Sequence, residues 1–320
     1  MMRNPVFESS MTRRMRSYRS PLLITLYVAF LAMVSIVALV VLQRGRLALS
    51  DLGAGLDAYT YICTMQFFLI ILVAPALTAG SIAGERERQT LDLLLCTRVS
   101  AIGIVAGKLF SSACFIALLV STSLPIMAVT LFFGGVTVVD MLVMLLFLMV
   151  TALACSTVGI FCSALFSRTV TATVMAYLTI FALGIGTILF PLLFQYRQLV
   201  NIADAVYNTS SSYGGMIVTG MNASNVGLSA AGLSITSLPK LLFINPAVGM
   251  VSLLMNQTGL LRSMLSNLIG YRGDVIVTVL RVFGFAAVIN MITLTVISLI
   301  LMCLSALFIK PAGIRARKRK

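Results

Sequence analysis

Residues 58–95 read AYTYICTMQFFLIILVAPALTAGSIAGERERQTLDLLL. Residues 58–84 hold no Asp, Glu, Lys or Arg, and the next four, Glu85, Arg86, Glu87 and Arg88, are all charged. An uncharged run of this length exceeds the ~20 residues that a helix needs to cross a hydrocarbon layer of ~30 Å. Five further windows behave the same way: 20–43, 109–139, 141–167, 169–196 and 282–309. Backbone that cannot face lipid unpaired must form helices or a closed barrel. Continuous apolar runs without period-two alternation favour helices. Composition agrees, with 60% hydrophobic and 10% charged residues and a mean hydropathy of +1.07, where soluble domains carry about 25% charged residues. The expectation is an all-α integral membrane protein, one domain over 1–320, with six transmembrane helices.

The net charge of +14 is distributed by side. Six spans place the N-terminal arm, the loops 84–108 and 166–170, and the tail after residue 309 on one side of the membrane. That side collects 16 basic and 4 acidic residues, against 7 and 5 on the other. The excess of Lys and Arg assigns it to the cytoplasm, with both termini. The positive charge is read as topology and contact with anionic membrane lipid rather than as a nucleic-acid footprint. The first apolar run is too long for a secretory signal and closes on no small-residue cleavage pattern. Ahead of it, Asn4-Pro5 is a cap and first-turn proline. Phe7, Met11, Met15 and Tyr18 then recur on one face with Arg13, Arg16 and Arg19 opposite. Residues 4–20 are therefore expected as an amphipathic interface helix along the inner membrane surface.

Proline falls once in span two (Pro75) and once in span three (Pro125), where membranes tolerate kinks. Residues 134–138 read as a tight outer turn, and Asp140 sits at an outer end, where it stays wet. The segment 195–280 reads as a long outer loop. Half of residues 205–239 are Ser, Thr, Asn or Gly, and 241–255 are apolar but short and broken at Asn245-Pro246. That segment is expected to be re-entrant or interfacial rather than a seventh span. Two small-xxx-small pairs, Gly80 with Gly84 and Gly103 with Gly107, would let helices approach closely.

Enzyme chemistry finds no support. Histidine is absent, which removes the commonest general base and metal ligand, and no metal site or catalytic residue is expected. The six cysteines form no disulfide framework. Gly103–Leu109 approximates a phosphate-binding loop but is one residue short, and Leu109 stands in place of the hydroxyl.

The charged turn has its own physics. Glu85 to Arg88 alternate in sign and cannot lie in lipid. From Thr90, read as a cap, a short helix follows, with Asp92 near its positive dipole end. Leu91, Leu94 and Leu95 share one face, and Lys108 marks the boundary of span three. An amphipathic element here can float on the membrane surface or dock into a groove on a partner.

Residues 84–95 followed by Gly107-Lys108 resemble the signature of type-2 ABC transporter permeases, which carry a Glu-rich turn, Gly-Thr-Leu-Glu-x-Leu-Leu, a Ser/Thr-Pro pair and a Gly-Lys opening the next span. The start, Asn4-Pro5-Val6-Phe7 with Arg13–Arg16, is similar to the membrane-skimming N-terminal helix of that family. The likeness covers nearly the whole chain as architecture and about 25 residues as motif. It implies a bacterial plasma-membrane exporter subunit that works as a dimer, with a second permease copy or paralogue and two separate ATPase subunits. ATP and magnesium would belong to those partners, and no cofactor to this chain. Residues 84–100 would form the cytoplasmic coupling helix, with Glu85, Arg86, Glu87, Arg88, Thr90, Leu91, Asp92, Leu94, Leu95 and Lys108 as the coupling residues. The cargo would be amphipathic: lipid, peptide or drug-like. Gln89 stands where glycine is usual, a change expected to matter little. Arg98 stands where proline is usual, which alters how the chain leaves the docking helix. The competing readings are a secondary transporter or channel working without ATP, and a non-transporting mechanical or sensory subunit that uses the same coupling helix.

Overall fold

Long uncharged windows satisfy their backbone locally as helices. The computed structural model describes residues 11–12, 16, 18–44, 52–91, 101–132, 134, 136–187, 189, 244–259 and 273–309, and every regular element among them is helical. In chain order these are α1 (Arg19–Arg44), α2 (Leu52–Thr78), α3 (Gly80–Glu87), α4 (Ala101–Thr122), α5 (Leu124–Phe132) and α6 (Val138–Leu165). They continue as α7 (Thr169–Thr187), α8 (Pro246–Gln257) and α9 (Gly273–Phe308). Six stretches are long and apolar enough to cross a membrane, and they fall on the six windows read from the sequence. α2 with α3 makes the second span, and α4 with α5 the third. Of the expected interface helix, Met11 is helical and half-buried, and Tyr18 sits in an exposed turn. Phe7 and Met15 lie outside the described residues.

Both broken spans break next to proline. Pro75 lies inside α2, where it cannot donate to the carbonyl four residues back and crowds it. The hydroxyl of Tyr177 on α7 donates to the nearby Leu72 carbonyl at 2.6 Å, and the helix breaks four residues after the proline, at Ala79. Span three breaks at Ser123, two residues before Pro125. There the Ser123 carbonyl accepts from both Ile126 and Met127 at 3.0 Å, and Gln66 of α2 donates its amide to the Ser123 hydroxyl.

The chain's alternation collects Ile82, Leu91, Val105, Leu109, Ile160, Ala164, Ala306 and Ile309 into one buried cluster. This end carries the charged turn and is called the turn end. A larger core occupies the other, far end: Tyr59, Ile62, Phe67, Val120, Met144, Phe147 and Leu148, with Met250 and Leu253 of α8. α6 lies at the centre, packed against α2, α3, α4, α8 and α9. Its start explains Asp140. Thr137 and Asp140 exchange hydrogen bonds as a capping box, each side chain accepting from the other's backbone N–H at 3.2 Å. The preceding turn passes through Gly134 at φ +77°, a conformation glycine adopts without steric cost.

The Asn245-Pro246 break is a helix start. The Asn245 carbonyl oxygen of the side chain accepts from Ala247 N at 2.9 Å, and Pro246 opens α8, the cap-then-proline order favoured at helix N-termini. α8 has 12 residues, about 18 Å of helix at ~1.5 Å per residue, too short to span. It is tied at both ends. The Asn245 amide donates to Gly184 O of α7, and the Asn290 amide of α9 donates to Asn245 O, both at 2.9 Å. At its other end Gln257 donates to Asp140 O at 2.9 Å and accepts from Tyr59 at 3.1 Å. The rest of the 195–280 loop on which the sequence reading dwelt, apart from 244–259 and the first part of α9, lies outside the described residues.

Of the glycines paired in the sequence, Gly84 does meet a neighbouring helix closely, and a tighter approach lies at Gly159. A methyl added at Gly80 would meet nothing within 4 Å, and one at Gly84 would stand 3.3 Å from Thr169 Cγ2. At Gly159 of α6 it would lie 2.0 Å from Thr78 Oγ1 and 3.3 Å from Ala79 N. There the backbone of α6 lies directly against the break in span two. Four residues on, Ser163 Oγ accepts from both Ile82 N and Ala83 N, at 2.9 and 2.8 Å. The N-cap of α3 is Ala79, which has no capping side chain. Ser163 therefore satisfies, from another helix, donors that a helix start leaves open.

Candidate functional site

The charged turn begins as the last turn of span two rather than as a loop. Glu85, Arg86 and Glu87 are helical in α3. The chain then closes with Gln89 N donating to Arg86 O at 3.1 Å and Thr90 N to Glu85 O at 2.9 Å. These are the two bonds of a Schellman motif, in which the residue after the cap takes the left-handed conformation and is usually glycine. Here that residue is Gln89, at φ +59°. The expectation that this substitution matters little is thus corrected, since a side chain in this region carries a steric cost that glycine avoids. Thr90, read as a helix cap, also closes the turn: its hydroxyl donates back to Glu85 O at 3.2 Å.

Two acids tie the turn to the rest of the bundle, half-buried Glu85 to α4 and exposed Glu87 to α7. Glu85 Oε1 lies 2.7 Å from Lys108 Nζ, and the same ammonium donates to the Ser81 carbonyl. Lys108 is only 6% exposed. It lies two turns into α4, about 10 Å from the helix start at ~1.5 Å per residue, so it is a component of the bundle rather than a boundary marker. An ammonium at that depth needs an acid beside it. Glu87 Oε2 accepts from Thr169 N at 3.2 Å and from Thr169 Oγ1 at 2.8 Å. It stands at the N-terminal end of α7, where the helix dipole favours negative charge. Leu91 is buried against Ile82, Val105, Leu109 and Ile160.

Of the residues the sequence singled out, the structure brings together Glu85, Leu91 and Lys108 in the interior and fastens Glu87 to α7. Arg86 stays half-buried, and Arg88, Gln89 and Thr90 face outward, beside exposed Arg168 of the link between α6 and α7. Asp92, Leu94, Leu95 and Arg98 lie outside the described residues. The segment 92–100 thus runs between two fixed points, buried Leu91 and the start of α4. Sequence reasoning missed Ser81, Thr169 and Ser163. A small-xxx-small signal was present for the last of these, Gly159 with Ser163, but it sat in a span without charge or proline to draw notice. Among the described residues no cluster of metal-ligating side chains occurs.

A family model described as ABC-2 family transporter protein matches residues 53–309. The match takes in spans two to six, the charged turn and α8. No curated protein matches the chain.

Two predictions follow from this geometry. Glu85→Lys or Lys108→Glu alone sets like charges together in a buried site and should lower stability by about 3 kcal/mol, read as thermal unfolding in nanodiscs. The double exchange should recover much of the loss, though not all, because an acid at position 108 would face the Ser81 carbonyl. Additive losses would mean that the pair is not coupled. Gln89→Gly should raise stability by up to about 1 kcal/mol by relieving the left-handed residue; a loss would mean that the Gln89 side chain makes a contact that outweighs the strain.

Proposed function

This chain belongs to the ABC-2 transporter family as the permease component of an ABC transporter, and we propose that it couples ATP hydrolysis by two separate ATPase subunits to export of an amphipathic substrate. The segment 84–100 is the coupling element, seated in the ATPase. ATP and magnesium sit in that partner, and this chain carries no catalytic step. A second copy or a paralogue completes the dimer. The turn end faces the cytoplasm, with both chain termini, at the plasma membrane of a bacterium.

The observation that carries this reading is the internal anchoring of the charged turn. A docking element transmits force only if its ends do not yield. Here one end is held by the Glu85–Lys108 pair and by buried Leu91, and the other continues directly into α4. Because Glu85 and Glu87 already have partners within the chain, the groups left for an external partner are Arg86, Arg88, Gln89 and Thr90, together with the leucines beyond. Of the charges expected to couple to the partner, the arginines are therefore the ones that remain to meet it. Ion-coupled carriers, the main alternative, keep ionisable groups at mid-membrane. The Glu85–Lys108 pair lies instead toward one end of the helices and neutralises itself. Export of lipid, peptide or drug-like cargo, rather than of a small ion, suits spans whose buried side chains, among the described residues and apart from the Glu85–Lys108 pair, carry no charge.

Leu94→Asp should release the permease from its ATPase while leaving insertion intact, because an unpaired acid in an apolar contact costs several kcal/mol. Copurification and stimulated ATP hydrolysis are the readouts, with Leu118→Met inside span three as the volume-conserving control. Retention of both activities by Leu94→Asp would remove the ATPase from this site.

A further inference from the structure

Span two ends at Glu87 and the fifth span begins at Thr169. Arg88 follows the first of these residues, Arg168 precedes the second, and both arginines are exposed. They stand 80 positions apart in the chain, and one contact brings them together. Glu87 Oε2 accepts from Thr169 Oγ1 at 2.8 Å and from Thr169 N at 3.2 Å. Each arginine is thus the chain neighbour of a residue in that contact, and both guanidiniums lie close enough to act on the Glu87 carboxylate. Neither closes to an ion pair with it or with any other acid among the described residues. Two guanidiniums against one carboxylate leave one positive charge over. Both arginines border apolar spans, at the level where helices leave the hydrocarbon for the lipid headgroups. On their membrane side the surface is apolar and open. Leu72 of α2 and Val170 and Val174 of α7 are more than half exposed, and a methyl added at Gly80 would meet nothing within 4 Å.

We infer that Arg88 and Arg168 form a binding site for the phosphate of one anionic phospholipid, at the seam between span two and α7. A lipid phosphodiester brings one negative charge, which balances the one left over. Guanidinium groups suit it, because they bind phosphate oxygens through paired, charge-assisted hydrogen bonds. The open apolar surface beside Gly80 and Val174 takes the acyl chains, and it is what assigns the phosphate to a lipid rather than to a free ion. Glu87 has an inverted role in this site. It is an acid that favours binding of an anion, because its contact with Thr169 holds two mutually repelling cations side by side. Its own charge is already engaged at the start of α7, where the helix dipole favours it. Arg88 also belongs to the surface left for an external partner and Arg168 does not, so the lipid stands at the edge of that surface. The inference concerns the membrane protein alone and does not rest on the ATPase reading.

The test uses the full chain in detergent, without partner or cargo. It is titrated with phosphatidylglycerol or with phosphatidylcholine of the same acyl chains, and bound lipid is counted by native mass spectrometry. The wild type should hold phosphatidylglycerol about fivefold more tightly than phosphatidylcholine, and Arg88→Gln or Arg168→Gln should each remove that preference. The double variant should lose no more than either single one, because one phosphate is shared. Glu87→Ala gives the decisive sign. Removing an acid strengthens diffuse attraction to anionic lipid, whereas losing the contact that builds the site should weaken binding by about fivefold. Thr169→Val takes away the hydroxyl half of that contact without changing charge. It should weaken binding in the same direction, and it decides the matter if Glu87→Ala fails to fold. Tighter binding by Glu87→Ala, unchanged binding by Thr169→Val, or equal retention of the two lipids by the wild type would each overturn the site. Inorganic phosphate binding as tightly as the lipid would overturn its assignment to a phospholipid.

Discussion

A lysine two turns inside a membrane helix has to be neutralised where it stands, and the turn end of this protein is organised around that requirement. Lys108 is nearly inaccessible and meets Glu85 at 2.7 Å. An unpaired ammonium there would cost several kcal/mol even after relaxation. The pair fixes α3 to α4 across the segment that joins them, and its geometry requires the second span to continue as helix through Glu87. The chain can turn only afterwards, at Arg88–Thr90, and the turn directs Leu91 back into the apolar cluster. The arginines are then left facing outward. The position of the charged turn is therefore tied to one buried ion pair.

The same logic of internal satisfaction governs the rest of the bundle. Lipid offers no partner to a freed backbone group, so each place where proline or a cap interrupts a helix draws a polar side chain from a neighbour. Tyr177 donates to the Leu72 carbonyl near Pro75, Ser163 serves the start of α3, and at the Ser123 break the Ser123 hydroxyl meets the Val120 carbonyl while Gln66 donates to that hydroxyl. At the far end Asn245 caps its own helix while its amide reaches α7 and its carbonyl receives Asn290. These contacts add to the apolar packing between the same helices. The α7 span buries only a small part of its length; Ala176 packs it against Ala79, Val158 and Cys162, and Thr169, Tyr177 and Gly184 add hydrogen bonds.

What the sequence made legible was whatever one residue type decides alone. Uncharged runs gave the six spans, Asn245-Pro246 gave a break that became the start of α8, and Asp140 gave a wet helix end. Features that depend on two distant residues were not legible. Glu85 and Lys108 are 23 positions apart, and they were read separately, one as part of a charged turn that cannot lie in lipid and the other as the boundary of span three. Ser163 was one serine among many until the break at Ala79 stood opposite it. Gly84 does approach Thr169 closely, but the tighter seat at Gly159 was passed over, because spacing shows that a helix could approach and not how closely. Gln89 was judged by side-chain chemistry, whereas its backbone angle is what matters.

The central claim is that an internally anchored turn presents residues 92–100 to an ATPase. A photo-activated cross-linking residue placed at Cys96 tests this in intact membranes, with the candidate ATPase expressed alongside. The account predicts an adduct of one permease with one ATPase subunit, formed from position 96 and absent when the same residue is placed at Leu142 on the opposite end of the bundle. Adducts from position 96 that contain only lipid, or only a second copy of this chain, would contradict it.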